Sequence, residues 1–424
     1  MTFFFIQIYL ILVLIRPQDY PQWIEAVSIP VLPIVLGIAF FCWLIGREKS
    51  LAAPQYLLIA AFLVVLMLSK AVNGWAGGAI EQLQLFGPIV ISFVLLANAT
   101  TTVRRATITM FVFVLSATVL AVHGILQVQT GVGWTGELLS QDTRIQYVGI
   151  FNDPNDLGLL FVMCVPMAFY LSNRGGFAGL RRLFWLAAIV LLLWGIFLTN
   201  SRGALIATAV IFAVYVWRRR GPVWAGIVGA GFLGLMMMLP SRLQELDVDE
   251  ESAFGRVDAW YEGLQMWMSQ PIFGVGAGNF PEIHGLTAHN SFVLVLAETG
   301  IVGYVIWFMF VTYGFRMTLA VLRHQPEPVE NEMPAAWKVE RSLATTLFIS
   351  QVGFFSAAFF LSRSYVIILY LLTALVLGWY TGACERWPGL PRFELSRDLV
   401  RWPLYAVGSV VALFVIVKAL MLLG

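Results

Sequence analysis

Long apolar runs separated by short polar joints set the pattern of this chain. The runs fall near 3–15, 29–45, 55–72, 83–98, 107–126, 150–171, 183–199, 203–217, 222–239, 291–315, 342–361, 365–383 and 402–423. A membrane-crossing helix needs roughly 17–25 residues. The first run is short for that, so the pattern predicts twelve or thirteen spans. Gly37, Gly87, Gly158, Gly303 and Gly353 fall inside predicted spans, where membrane helices tolerate them. Two hydrophilic stretches exceed ordinary joints, 240–290 and 316–341. No fixed-period repeat or low-complexity tract interrupts the pattern. The expected fold is an all-α polytopic integral membrane protein, with residues 1–424 forming a single membrane domain.

Composition agrees. Of 424 residues 59% are hydrophobic and 12% charged, against about 25% charged in a soluble domain. A net charge of only +2 argues against a nucleic-acid partner and leaves membrane lipid as the main surrounding. Cys42, Cys164 and Cys384 all lie in apolar runs and read as small core residues, with no disulfide framework. The start, Met1-Thr2-Phe3-Phe4-Phe5, has no basic region and no small-residue cleavage site after it. It reads as a retained first span.

Charge orients the spans. With thirteen spans and a cytoplasmic start, the even-numbered joints collect Arg47, Lys49, Arg104, Arg105, Arg174, Arg181, Arg182 and Arg218 to Arg220. They also collect Arg316, Arg323, Lys338, Arg341, Arg386, Arg392, Arg397 and Arg401. That is eighteen of the 26 Lys and Arg, as the positive-inside bias requires. Arg16, Lys70, Arg144, Arg202, Arg242, Arg256 and Arg363 fall outside. The stretch 316–341, with Pro326, Pro328 and Pro334, is then a cytoplasmic connector, and 240–290 is a large outer loop.

The outer loop is the more structured of the two. It opens with Pro240 and an acidic run from Glu245 to Glu251, which reads as a solvated face. Val257, Tyr261, Leu264 and Met268 then recur at helical spacing beside Trp260 and Trp267, and Pro271 ends the run. This predicts an amphipathic helix that lies at the bilayer surface or packs over the bundle. Gly274, Gly276 and Gly278 follow. No strand precedes them, so a dinucleotide loop is rejected. They predict a turn that brings backbone close to a ligand or a neighbouring helix.

Candidate chemistry gathers on the outer side. Arg202, in Thr199-Asn200-Ser201-Arg202-Gly203, joins two spans with almost no loop. A charge that close to hydrocarbon costs a few kcal/mol unless paired or wet. Arg256 and Arg363 share this side, with Lys70 and Arg16 as weaker candidates. Guanidinium forks suit phosphate oxygens; lipid headgroups or Asp153, Asp156 and Glu298 are the alternative partners. Asn152-Asp153-Pro154-Asn155-Asp156 reads as a helix cap and turn, with contact to a sugar hydroxyl as the functional alternative. His289-Asn290 enters the next span. By position alone His289 is no more than a boundary histidine, although histidine suits proton transfer.

Taken together, these residues resemble the O-antigen ligase and O-antigen polymerase family of bacterial envelope enzymes. The family motif is His, then Asn, Ser or Gln, nine residues, Gly, two residues, then Gly, Thr or Tyr. Here it reads His289-Asn290, nine residues, Gly300-Ile301-Val302-Gly303. Arg202 and Arg256 look like the family's two arginine positions, and Asn152 to Asp156 is similar to its Asn-Pro-Asn segment. The resemblance covers about residues 150–305.

It implies a metal-independent, cofactor-free glycosyltransferase in the inner membrane, its site facing the periplasm. The donor would be a glycan on undecaprenyl diphosphate. The acceptor would be lipid A–core in a ligase, or a second lipid-linked glycan in a polymerase. Arg202 and Arg256 would hold the diphosphate charge, and His289 would take the acceptor proton or orient a substrate. Asn290, Arg363, Asn152, Asn155 and Lys70 are expected to contact substrate. The full histidine motif favours the ligase. A small-anion transporter using His123 and Lys70 is the rival of another class, and a non-catalytic scaffold is the third.

Overall fold

Each apolar run folds as helix in the computed structural model, which describes residues 1–21, 29–47, 49–174, 179–238, 246–327 and 333–423. The helices are α1 (Thr2–Ile15), α2 (Val31–Ile45), α3 (Pro54–Val72), α4 (Ala76–Ala99), α5 (Val103–Thr130) and α6 (Pro154–Ser172). Then come α7 (Leu180–Leu198), α8 (Arg202–Arg220), α9 (Pro222–Met238), α10 (Leu246–Ser269), α11 (Phe280–His284) and α12 (Ser291–Arg323). The chain closes with α13 (Ala335–Ala358), α14 (Ile367–Arg386), α15 (Leu395–Asp398) and α16 (Arg401–Leu423). Among the described residues there are two isolated β-bridges, in the loop after α5, and no strand. The protein is an all-α polytopic membrane protein.

Nine of these helices are long and apolar enough to cross a membrane, among the described residues. α2 and the apolar part of α9 are shorter. α8 carries Arg202 and Arg218 to Arg220 at its ends, and α13 begins with Lys338, Glu340 and Arg341. The predicted runs at 203–217 and 342–361 are therefore the apolar middles of longer, polar-ended helices. α6 and α14 form the centre, with 83% and 89% of their span windows buried, against 22% for α16 at the periphery.

Two predicted boundaries move. α12 runs on to Arg323 and α13 starts at Ala335, so the connector is shorter than 316–341; its Pro328 lies outside the described residues. In the outer loop, Pro240, Arg242 and the acidic run to Glu251 lie outside the described residues or side chains. α10 itself is as predicted and packs over the bundle. Its Trp260 meets Phe359 edge to face at 5.6 Å, and a Cβ on Gly263 would touch Val293 Cγ1 at 2.4 Å.

The glycine loop explains the shape of α12. Gly300 takes φ 63°, ψ −166°, which breaks the helix. Residues 271–276 fill the break by exchanging hydrogen bonds with it. Ile301 N donates to Pro271 O (2.9 Å) and Val302 N to Ile272 O (3.3 Å), while Val275 N donates to Ala297 O (2.9 Å) and Gly276 N to Glu298 O (3.0 Å). Two helical bonds, 301 to 297 and 302 to 298, are thus replaced by four cross-segment bonds. Backbone groups at membrane depth must find such partners. Glu298 Oε1 then accepts from Phe280 N at 3.2 Å and fixes the end of the loop.

Candidate functional site

Three helix starts meet at one end of the bundle, and each has a sequence-encoded cap. Asp153 caps α6, its Oδ1 accepting from Asn155 N at 2.9 Å. Ser201 caps α8 through Ala204 N at 3.3 Å. Asn290 caps α12, its Oδ1 accepting from Phe292 N at 2.9 Å and Val293 N at 3.1 Å. Such side-chain oxygens satisfy helix-end donors that have no partner within the helix. Asn200 and His289, just before α8 and α12, both adopt left-handed φ, 49° and 50°.

Small residues let these starts close up. A Cβ on Gly158 would stand 2.7 Å from Ala204 Cβ and 3.3 Å from Thr199 Oγ1, and one on Gly203 would stand 3.3 Å from Phe360 Cβ. The joint between α13 and α14 is tied to the start of α12. Ser291 Oγ donates to Leu361 O (2.6 Å) and accepts from Arg363 N (2.9 Å), and Ser364 Oγ donates to Ser291 O (2.7 Å). Thr287 also bonds Ser362.

Charged side chains from five segments converge there. Arg363 bonds Asp156 and, at 2.9 Å, Asp153. Burial works against its charge, and the two carboxylates outweigh that and hold its pKa above the ordinary value. His289 is half-buried. Burial first, then the neighbouring Arg256 and Arg363 cations, lower its pKa, and Asp153 opposes them less strongly. Arg256, on α10, is itself lowered by burial and by Arg202. Arg202, Arg256, His289 and Arg363 therefore share one electrostatic environment. Asp153 and Asp156 offset Arg363, so the field that favours an anion here comes from Arg202 and Arg256, which are close enough to repel each other.

The other expected site residues have different places. Asn290 is buried, with its Oδ1 used by the helix cap, while its Nδ2 is buried without a protein partner. Asn155 bonds Asp153 (2.8 Å) and accepts from Arg144 (3.1 Å). Asn152 is exposed at the end of a short turn, beside the group. Lys70 stands apart: 4% exposed, it donates to Asn279 Oδ1 and lies 4.8 Å from the Trp75 ring centroid. Arg16 pairs with Asp19. Among the described residues no group of three or more His, Cys, Asp or Glu is arranged to hold a metal ion.

Sequence reasoning left out Arg144. Its Nε donates to Thr199 O at 2.9 Å and its guanidinium to Asn155 Oδ1 at 3.1 Å. It thus links the starts of α6 and α8 from the folded loop between α5 and α6. The available signal was charge, since Arg144 is one of seven cations against the positive-inside bias. Nothing in its local sequence distinguishes it.

No curated protein matches the chain. Residues 187–308 match a protein family described as O-Antigen ligase. That segment contains Arg202, Arg256, His289 and the broken part of α12, and it supports a transferase of the ligase or polymerase type. That match spans under a third of the chain; within it the histidine motif is complete and its glycine forms the helix break, so the chain resembles the O-antigen ligase and polymerase family.

Proposed function

We propose that the protein is an O-antigen ligase-like glycosyltransferase that moves a glycan from undecaprenyl diphosphate to a sugar hydroxyl of lipid A–core. The observation that carries this reading is the meeting of the α6, α8 and α12 starts at one end of the bundle, which brings Arg202 and His289 to the same end, with Arg256 near enough to both to interact with them electrostatically. That end lies away from the basic joints, so the positive-inside bias favours a periplasmic site in a protein of the inner membrane. The family supports lipid-linked glycans as substrates in general.

The chemistry follows from charge. The acceptor oxygen attacks the anomeric carbon, the bond from that carbon to the diphosphate oxygen breaks, and the diphosphate leaves with the electron pair. His289, kept neutral by burial and nearby cations, takes the acceptor proton, a step typically worth 10²–10⁴-fold. Arg202 and Arg256 stabilise the negative charge that develops on the leaving diphosphate, so a metal is not required for that task. Arg363, neutralised by Asp153 and Asp156, positions the α6 and α12 starts. A single displacement inverts the anomeric centre.

The test supplies purified protein with undecaprenyl-diphosphate glycan, chelator and two acceptors, lipid A–core and a second lipid-linked glycan. Transfer to lipid A–core, lost about 10²–10³-fold in Arg202→Ala and also lost in His289→Ala, is the expected result. Extension of the lipid-linked glycan instead makes the protein a polymerase with the same site. No transfer from folded protein to either acceptor overturns the enzyme reading and favours transport.

A further inference from the structure

The opposite end of the bundle holds a cationic crevice that the glycan-transfer reading does not use. A cavity of about 540 Å³ lies between α8, α12 and α13, with Arg218 and Arg323 among apolar Val214, Leu319, Leu322 and Phe348. A second, of about 450 Å³, shares Leu319 and Arg323 and adds Arg316, His324 and Phe393. Among the described residues neither is lined by an Asp or Glu. A third, of about 400 Å³, shares Arg316 and Phe393 and reaches Arg392, Arg397 and Arg401.

The carboxylates of the third cavity already have partners. Asp398 accepts from Arg316 at 2.5 Å and Glu394 pairs with Arg397 at 3.0 Å. Arg316 is also packed among rings, 4.4 Å from the Phe393 centroid and 4.9 Å from Trp402, which fixes the shared wall. Arg218 lies over Phe348 at 5.7 Å and close enough to Arg341 to be repelled by it. Arg218 and Arg323 thus line one cavity with apolar sides.

Exposed apolar residues adjoin the cations. Leu399, Val400, Leu404 and Tyr405 are 56%, 76%, 67% and 60% exposed at the turn into α16, and Trp217 is 59% exposed at the end of α8. Cations beside outward-facing apolar surface match the boundary between headgroups and acyl chains. Basic pockets between membrane helices bind phosphate headgroups, and a guanidinium binds phosphate oxygens in a fork.

We propose that this crevice binds an anionic phospholipid. Arg218 and Arg323 hold its phosphate, and Val214, Leu319, Leu322 and Phe348 cover the upper part of its acyl chains. The site is separate from the arginine–histidine group and does not depend on the transferase reading.

The test is native mass spectrometry of the full-length protein in detergent, with equal phosphatidylglycerol and phosphatidylcholine added. Wild type should retain phosphatidylglycerol preferentially, and Arg218→Gln with Arg323→Gln should lower that preference about 30-fold, the contribution of two surface cations. Arg218→Lys with Arg323→Lys, which keeps the charge, should retain most of it and so separates lost charge from lost folding. Equal retention of the two lipids by wild type overturns the proposal. So does a preference unchanged in the double glutamine variant, or displacement of the lipid by millimolar inorganic phosphate, which would make this a site for a free anion.

Discussion

Gly300 and Ile272 approach so closely that a Cβ on the glycine would stand 2.3 Å from the Ile272 carbonyl oxygen. The glycine of the histidine motif is therefore an architectural residue. It opens α12 where the outer loop inserts, eleven positions after His289, which stands just before the start of that helix. Its φ and ψ belong to a region that only glycine occupies readily.

Gly300→Ala should accordingly destabilise the protein by at least about 2 kcal/mol, from backbone strain together with the clash. Thermal unfolding in detergent would show a lower midpoint. An unchanged midpoint would mean that the break does not need glycine.

Arg363 is the next point of failure. It lies between Asp153 and Asp156 with 20% of its side chain exposed. Arg363→Ala leaves two carboxylates facing each other without their cation, and breaking a pair buried to this degree costs about 3 kcal/mol. Arg363→Lys should recover only part, because one ammonium does not reproduce the fork that spans both carboxylates. Unfolding midpoints of the two variants, compared with Asp153→Asn, check this.

The pH profile tests His289. Its pKa lies below the ordinary histidine value, so the neutral base should persist into mildly acidic solution. The acid limb of kcat/KM should inflect below the usual histidine range. Removing a neighbouring cation makes the imidazolium less unfavourable. Arg256→Gln should therefore move the inflection to higher pH as well as slow transfer. A profile that keeps its inflection in Arg256→Gln would place the titrating group elsewhere.

Arg144 is expected to act by positioning. Losing its bonds to Thr199 O and Asn155 Oδ1 should lower transfer at least about tenfold, the worth of one of the two charge-assisted hydrogen bonds. The effect should fall on kcat more than on KM, because the α8 start that carries Arg202 would shift while the substrate surface remains. A drop in KM affinity alone would instead make Arg144 a direct substrate contact.

Much of this protein is legible in its sequence because lipid imposes a strong constraint. Helices must satisfy their own backbone, so long apolar runs announce them, and the arginines at the joints assign their ends. The cap residues Asp153, Ser201 and Asn290 announce helix starts for a similarly local reason. The amphipathic spacing of Val257, Tyr261, Leu264 and Met268 does the same for α10. The histidine motif was legible as a pattern, and so was the gathering of His289, Arg202 and Arg256 on one side.

Tertiary structure decided what each of those residues touches. Side-chain partners in this fold are separated by long stretches of chain, as Arg363 is from Asp153, and periodicity carries no information about such pairs. Lys70 was a weaker candidate on the same side of the membrane as the arginines, and the fold turns it toward Asn279 and Trp75. Arg144 looked incidental until the loop after α5 folded back onto Thr199. The glycines from 274 to 278 announced a close approach but not its partner, and Gly300 was legible only as part of the histidine motif. Only the packed bundle shows that they serve one another, because the backbone groups freed by a broken helix had to be satisfied from a distant segment.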